Sequence, residues 1–130
     1  MAYLKPPTVT SKIFNPLAMR FGIGGSVTLA VARRSSGTTQ LVPVVPIEHA
    51  GTRYVVSARG EAQWVKNTRS AGSLELREKG HAQRYNAVEV PVGERGPIID
   101  AYRAKAGRAV APYWKRLPDA ADHPVFRLEA

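Results

Sequence analysis

Two short basic stretches carry the residue types best suited to hold an anion. The first, "ARRSSGTTQ" (32–40), sets Arg33, Arg34, Ser35, Ser36 and Gly37 in a turn between two strands. Guanidinium groups, hydroxyls and free backbone N–H groups are the donors that phosphate or carboxylate oxygens need. A polar hairpin tip uses the same composition, and taken alone the turn favours that plainer reading. The second, "VVSARGEAQWVKNTRSAG" (55–72), places Arg59 just ahead of a helix, with Gly60 permitting close approach of a ligand. The first turn of a helix leaves backbone N–H groups unpaired and aimed at any bound anion. Trp64 and Asn67, three apart, share one helix face, and Lys66 and Arg69 share another. Glu61 in the first turn argues the other way, because it complements the helix dipole without a ligand. A tryptophan on a helix lying against a barrel is also more often core than platform.

Other chemistries find less support. His49, His81 and His123 are far apart and show no HxH or HExxH spacing, so no metal site is expected. No G-x-S-x-G turn is present to seat a nucleophilic serine. Asp119, Asp122 and His123 in "DAADHP" read as a capped turn before a last strand. "GIGGS" precedes a strand rather than a helix, so it reads as a flexible lead-in and not a dinucleotide fingerprint.

The chain contains no cysteine, which excludes disulfides, thiolate metal sites and cysteine nucleophiles, and fits a reducing cytoplasm. A net charge of +9 concentrates anions around the protein: nucleic acid, acidic lipid headgroups, or a phosphorylated or carboxylated small molecule. The eight Phe and Tyr and two Trp are scattered rather than striped, so nucleic acid is not the expected partner.

The elements that must position the two basic stretches follow from periodicity. Residues 1–12 read as a mobile polar arm, with no apolar core of a leader, and 13–130 as one domain. "KIFNPLAMRFG" reads as a greasy short helix closed by Gly22, packed on a sheet or covering a pocket mouth. Strands are expected in "SVTLAVARR", "LVPVVPIE", "TRYVVSA", "SLELRE", "AQRYNAVEVPV" and "DHPVFRL". Pro43 and Pro46 put the second of these at an edge or beside a bulge. In the fifth, Val88, Val90 and Val92 read as the apolar face. Helices are expected over 61–71, capped by Gly72, then in "GERGPIIDAYRAKAG" and "RAVAPYWKRL". Six mostly antiparallel strands, a helix after the third and helices before the last give an α+β protein built on a small closed barrel, with a groove where helix meets barrel.

This order of parts resembles the deazaflavin-dependent nitroreductase family. The resemblance runs roughly from Phe14 to Leu128 and is carried by "RGExxWVxNxR" and the "LPDxxDHPVFR" ending. It implies a six-stranded split β-barrel of the flavin-reductase, FMN-binding type. It implies a cytoplasmic, actinobacterial oxidoreductase that passes a hydride from reduced coenzyme F420 to a small hydrophobic enone, quinone or nitroaromatic. By the same resemblance, the cofactor's phosphate and tail meet Arg34, Ser35, Ser36 and Gly37. The ring and ribityl chain run past Val42, Pro43, Ser57, Ala58, Arg59, Gly60, Gln63, Trp64 and Asn67. Tyr102, Tyr113 and Trp114 form the acceptor-side wall, with Tyr102 or Tyr113 as candidate proton donors. Ser35 and Gln40 stand where members commonly carry a lysine and an arginine, and Arg33 can replace one of those cations. FMN is therefore the alternative cofactor, and a lipid carrier touching a membrane through "IFNPLAMRF" the alternative use of the groove. Monomers and homodimers both fit.

Overall fold

The computed structural model describes residues 26–130. The arm over 1–12, the helix expected over 13–22 and most of "GIGGS" lie outside them. Seven strands form one antiparallel sheet: β1 (Val27–Ala32), β2 (Thr39–Val44), β3 (Ile47–His49), β4 (Thr52–Val56), β5 (Ser73–Glu78), β6 (His81–Glu89) and β7 (Val125–Glu129). Their order is β2-β1-β5-β6-β7-β4-β3, and the sheet curls into a split barrel. Among the described residues β2 pairs only with β1 and β3 only with β4, so the barrel stays split rather than closed.

The single strand expected over 41–48 is two strands, because Val45 and Pro46 interrupt the ladder and the chain changes edges there. Both prolines behave as their missing N–H requires: Pro43 lies on an edge strand opposite Thr28, and Pro46 lies between strands. β1 buries Val27, Leu29 and Val31 as its alternation predicts. β6 does not follow its valines. Tyr85 points inward opposite Leu74 and Ala87 lies opposite Leu128, while Val88 is 38% exposed. A shift of one residue exchanges the faces of a strand, and the bulky Tyr85 fixes which one faces in. Val90 is buried beyond the strand's end, and Val92 is exposed.

Three helices cover the sheet: α1 (Gln63–Ala71), α2 (Gly96–Ala106) and α3 (Ala111–Arg116). α1 packs on β1, β5 and β6, and its Val65 joins Leu29, Val55, Leu74 and Phe126 in one core. Gly72 ends it at φ +72°, donating to the Thr68 carbonyl at 2.8 Å, a left-handed cap that favours glycine. α2 begins with a proline in its first turn and lies against β3 and β4, where Ile98, Ile99 and Tyr102 form a second core with Val56, Val125 and Trp114. Among the described residues no helix is long and apolar enough to cross a membrane.

Arg95 ties the second core to the crossover that precedes β7. Its Nε donates to the Val90 carbonyl at 2.9 Å, Nη1 to the Ala120 carbonyl at 3.2 Å, and Nη2 to Glu89 at 3.2 Å. Burial pulls its pKa below the ordinary arginine value, with Glu89 opposing. Arg95→Met should cost about 2–3 kcal/mol in urea unfolding, because the carbonyls and Glu89 lose a buried charged donor. A loss below about 1 kcal/mol would show that water takes over those bonds.

Candidate functional site

β2, the end of β4, the start of α1 and the α2–α3 junction enclose a cavity of about 410 Å³. That lies within the roughly 300–1,000 Å³ that small-molecule sites occupy. Val42, Pro43, Val44, Val45, Val56 and Val110 supply its apolar surface. Polar groups enter at four places: Ser26, then Gln40 and Gln63, then Ser57 and Arg59, then Tyr102 and Tyr113.

The β4–α1 connection is shaped by backbone hydrogen bonding. Ser57 Oγ donates to the Gly60 carbonyl at 2.6 Å, and Gly60 adopts φ +87°. The Ala62 N–H donates to the Gly60 carbonyl, so the chain turns into α1 with Ala58, Arg59, Ala62, Gln63 and Trp64 on the cavity wall. Glu61 is not in the first turn of the helix, which starts at Gln63 and has no acidic residue there and no side-chain cap. Instead Arg69 donates to both Glu61 oxygens, at 2.9 and 3.1 Å, which holds the Glu61 pKa below the ordinary carboxylate value. The dipole compensation expected of Glu61 is therefore absent, because the carboxylate is turned toward Arg69 and Glu89 lies on Arg69's other side at 2.7 Å.

Trp64 has both roles that its sequence position allowed. It packs against Phe126, ring centroids 6.1 Å apart, within the barrel core, and its remaining edge lines the cavity. Asn67 does not reach the cavity. Its Oδ1 accepts from the Arg34 backbone N–H at 3.1 Å and from Arg34 Nη1 at 2.7 Å, while its Nδ2 donates to Gln40 Oε1 at 2.7 Å. Arg34 Nη2 donates to Gln63 Oε1 at 2.8 Å. One amide network thus joins the basic turn to the cavity wall.

The turn itself is closed by Gly37 donating to the Arg33 carbonyl, with Gly37 at φ +77°. Ser36 Oγ lies 2.8 Å from Thr38 Oγ1, and Ser35, like its neighbours, is exposed. Arg33 donates to Thr38 Oγ1 and the Thr39 carbonyl. Every partner that Arg33 and Arg34 have among the described residues is neutral, so none of these residues compensates either charge.

On the opposite wall, Tyr102 is 6% exposed and its pKa is pushed up to about 12, chiefly by burial, with Tyr113 adding and Arg59 opposing. It is a proton-bearing hydroxyl at any physiological pH. Arg59 Nε donates to the Tyr113 hydroxyl at 3.2 Å, with its guanidinium carbon 5.3 Å from that ring's centre. Trp114, expected in this wall, stands behind it. It packs on Tyr102 at 5.9 Å and stacks on His123 at 3.9 Å, and does not line the cavity.

His123 is the residue that the sequence misplaced most. The turn before β7 closes through the Asp119 carbonyl, with no side-chain cap, and His123 is fully buried. Its Nδ1 lies 2.9 Å from the Ser57 carbonyl and its Nε2 2.6 Å from the Leu117 carbonyl. The only sequence sign of this was that the histidine directly precedes Pro124 and an apolar strand.

No protein-family model matches the chain, and no curated protein matches it. Solved structures do. An F420-H2-dependent reductase is 20% identical with a TM-score of 0.61, over 82% of this chain and 95% of that one. A FAD-binding protein from Mesorhizobium loti is 16% identical with a TM-score of 0.53, over 81% and 80%. A NimC/NimA family protein from Clostridium acetobutylicum is 17% identical with a TM-score of 0.54, over 87% and 80%. What this chain has in common with them is the fold, a split β-barrel with its helices packed over an antiparallel sheet.

Proposed function

We propose that the protein is an oxidoreductase of the deazaflavin-dependent nitroreductase family, binding coenzyme F420 in the cavity and reducing a small hydrophobic acceptor. The observation that carries this reading is the continuity of an apolar cavity with a basic turn. From Val42, Pro43 and Trp64, the wall passes through Gln40 and Gln63 to Arg34, whose charge no carboxylate neutralises among the described residues. A flat ring with an anionic tail needs that sequence of environments. The resemblance in "RGExxWVxNxR" and the fold of an F420-H2-dependent reductase support it.

A deazaflavin bound here would supply hydride chemistry. The chain's own residues orient the ring, exclude water and present the acceptor. Val42, Pro43 and Val56 give the ring apolar contact, while Arg34 with the Ser35–Gly37 turn holds a phosphate. Tyr102 and Tyr113 offer hydroxyls to the acceptor, and either can return a proton to it.

FMN is the second reading, and Gln40 favours it. The position where the resemblance puts an arginine carries an amide already engaged with Asn67, so the turn suits one phosphate better than a long polyanionic tail. Titration with F420 and with FMN separates the two. F420 should quench tryptophan emission saturably, and Trp64→Phe should remove most of the change. No response to either cofactor from the folded protein rules the reading out. A response to F420 is followed by turnover of an enone, a quinone and a nitroaromatic.

A further inference from the structure

Glu61 and Arg69 belong to the "RGExxWVxNxR" stretch, yet neither lines the cavity. Arg69 engages every guanidinium nitrogen with two carboxylates. Its Nη1 and Nη2 donate to the two Glu61 oxygens at 2.9 and 3.1 Å, and its Nε and Nη2 to the two Glu89 oxygens at 2.7 and 2.8 Å. Glu89 is anchored a second time, because Arg95 Nη2 donates to it at 3.2 Å. Glu61 is not. Arg69 is its one side-chain partner among the described residues, and its own side chain is only 11% exposed.

The β4–α1 connection is fastened at its start, where the Ser57 N–H donates to the Pro124 carbonyl at 2.9 Å and the Ser57 carbonyl lies 2.9 Å from His123 Nδ1. Glu61 fastens its far end. Between them Ala58 and Arg59 line the cavity, and Gly60 turns the chain at φ +87°. The Arg59 side chain has one hydrogen-bond partner there, the Tyr113 hydroxyl. A scarcely exposed carboxylate that loses its counter-ion turns out to water rather than stay unpaired, and the backbone beside it follows. We propose that Arg69, acting through Glu61, is a positioning residue that holds the Ala58–Gly60 wall of the cavity in place for its ligand. The inference rests on the reductase reading only for the identity of that ligand. Arg69 is itself 38% exposed, and exposed ion pairs contribute little to global stability. The effect of the pair therefore falls on one connection rather than on the whole fold.

Trypsin reads the connection without any cofactor, since cleavage between Arg59 and Gly60 requires the backbone there to open. Followed by mass spectrometry, that cleavage should be about tenfold faster or more in Arg69→Met than in the native protein, while the urea midpoint moves by less than about 0.5 M. Arg69→Lys should recover part of the protection, because a single ammonium cannot pair bidentately with two carboxylates. Glu61→Gln should speed cleavage to a similar degree, and adding Arg69→Met to it should change little, since Arg69 acts through Glu61. Each variant is first confirmed folded by circular dichroism. Arg69→Met should also bind F420 or FMN, whichever the native protein takes up, about three- to tenfold more weakly, because the wall is no longer preorganised. Unchanged cleavage in folded Arg69→Met, faster cleavage matched by an equal loss of global stability, or additive effects of the two substitutions overturns the inference. Faster cleavage with unchanged cofactor affinity overturns it too. If the native protein binds neither cofactor, the reductase reading falls, and the cleavage rates still uphold or overturn the role of Arg69.

Discussion

His123→Ala is expected to lower the free energy of unfolding by about 4 kcal/mol, since a fully buried ring, its stacking and its polar contacts disappear together. The ring bridges two chain segments. Nδ1 faces the Ser57 carbonyl at the end of β4, and Nε2 faces the Leu117 carbonyl after α3. Carbonyls only accept, so the imidazolium makes both bonds at once and the neutral ring makes one. The ring also lies flat on Trp114, 3.9 Å between centroids with planes 8° apart, and Trp114 in turn backs Tyr102. Alanine would remove the ring's polar contacts with the Ser57 and Leu117 carbonyls and leave a void beneath the indole. His123→Phe separates the contributions, because it keeps the stack and most of the volume but no N–H. Guanidinium chloride unfolding should place His123→Phe about 2 kcal/mol below the native protein, between native and alanine. If phenylalanine is as stable as histidine, the bonds to Ser57 and Leu117 contribute nothing and the ring acts by packing alone.

Much of this architecture was legible because local patterns and tertiary packing agree. The alternation in "VTLAVA" faces Leu29 into the core, Gly72 caps α1, and a proline opens α2. β6 was not legible. Its valines advertise one face, and the pairing of Tyr85 with Leu74 selects the other, a contact between strands that periodicity within a strand cannot carry. The split of the expected second strand also needed three dimensions, since Pro46 could mark either a bulge or a break. Of the site residues that the resemblance implied, Gln40, Val42, Pro43, Ser57, Ala58, Arg59, Gln63, Trp64, Tyr102 and Tyr113 line one cavity. Asn67 and Trp114 do not line it. Both are buried supports, one for Arg34 and the other for Tyr102. Such residues carry the same polar or aromatic signature as ligand contacts, and only burial tells them apart. His123 and Arg95 were missed for the same reason. Their partners are mostly backbone carbonyls, which leave no mark in a sequence.

Arg34→Met should weaken binding of a phosphorylated cofactor by about 30- to 100-fold, the loss of a charge-assisted phosphate contact, while changing unfolding free energy by less than about 1 kcal/mol. The asymmetry follows from the partners. The residue is exposed, and among the described residues its guanidinium donates only to the neutral oxygens of Gln63 and Asn67. When the side chain is truncated, Asn67 Oδ1 keeps the backbone N–H of residue 34 at 3.1 Å, and Asn67 Nδ2 keeps Gln40 at 2.7 Å, so no buried acceptor is orphaned. A phosphate has no such reserve. Arg33 is the other cation of the turn and is committed to Thr38 and the Thr39 carbonyl. The decisive control is the deazaflavin or flavin lacking its phosphate. Its affinity should be nearly the same for native and Arg34→Met protein, and the native preference for the phosphorylated form should shrink as salt is raised. Equal weakening for both ligands would mean that Arg34 shapes the ring pocket through Gln63 and Asn67. Loss of stability in step with affinity would return the turn to a hairpin tip, with Arg34 serving only to brace α1.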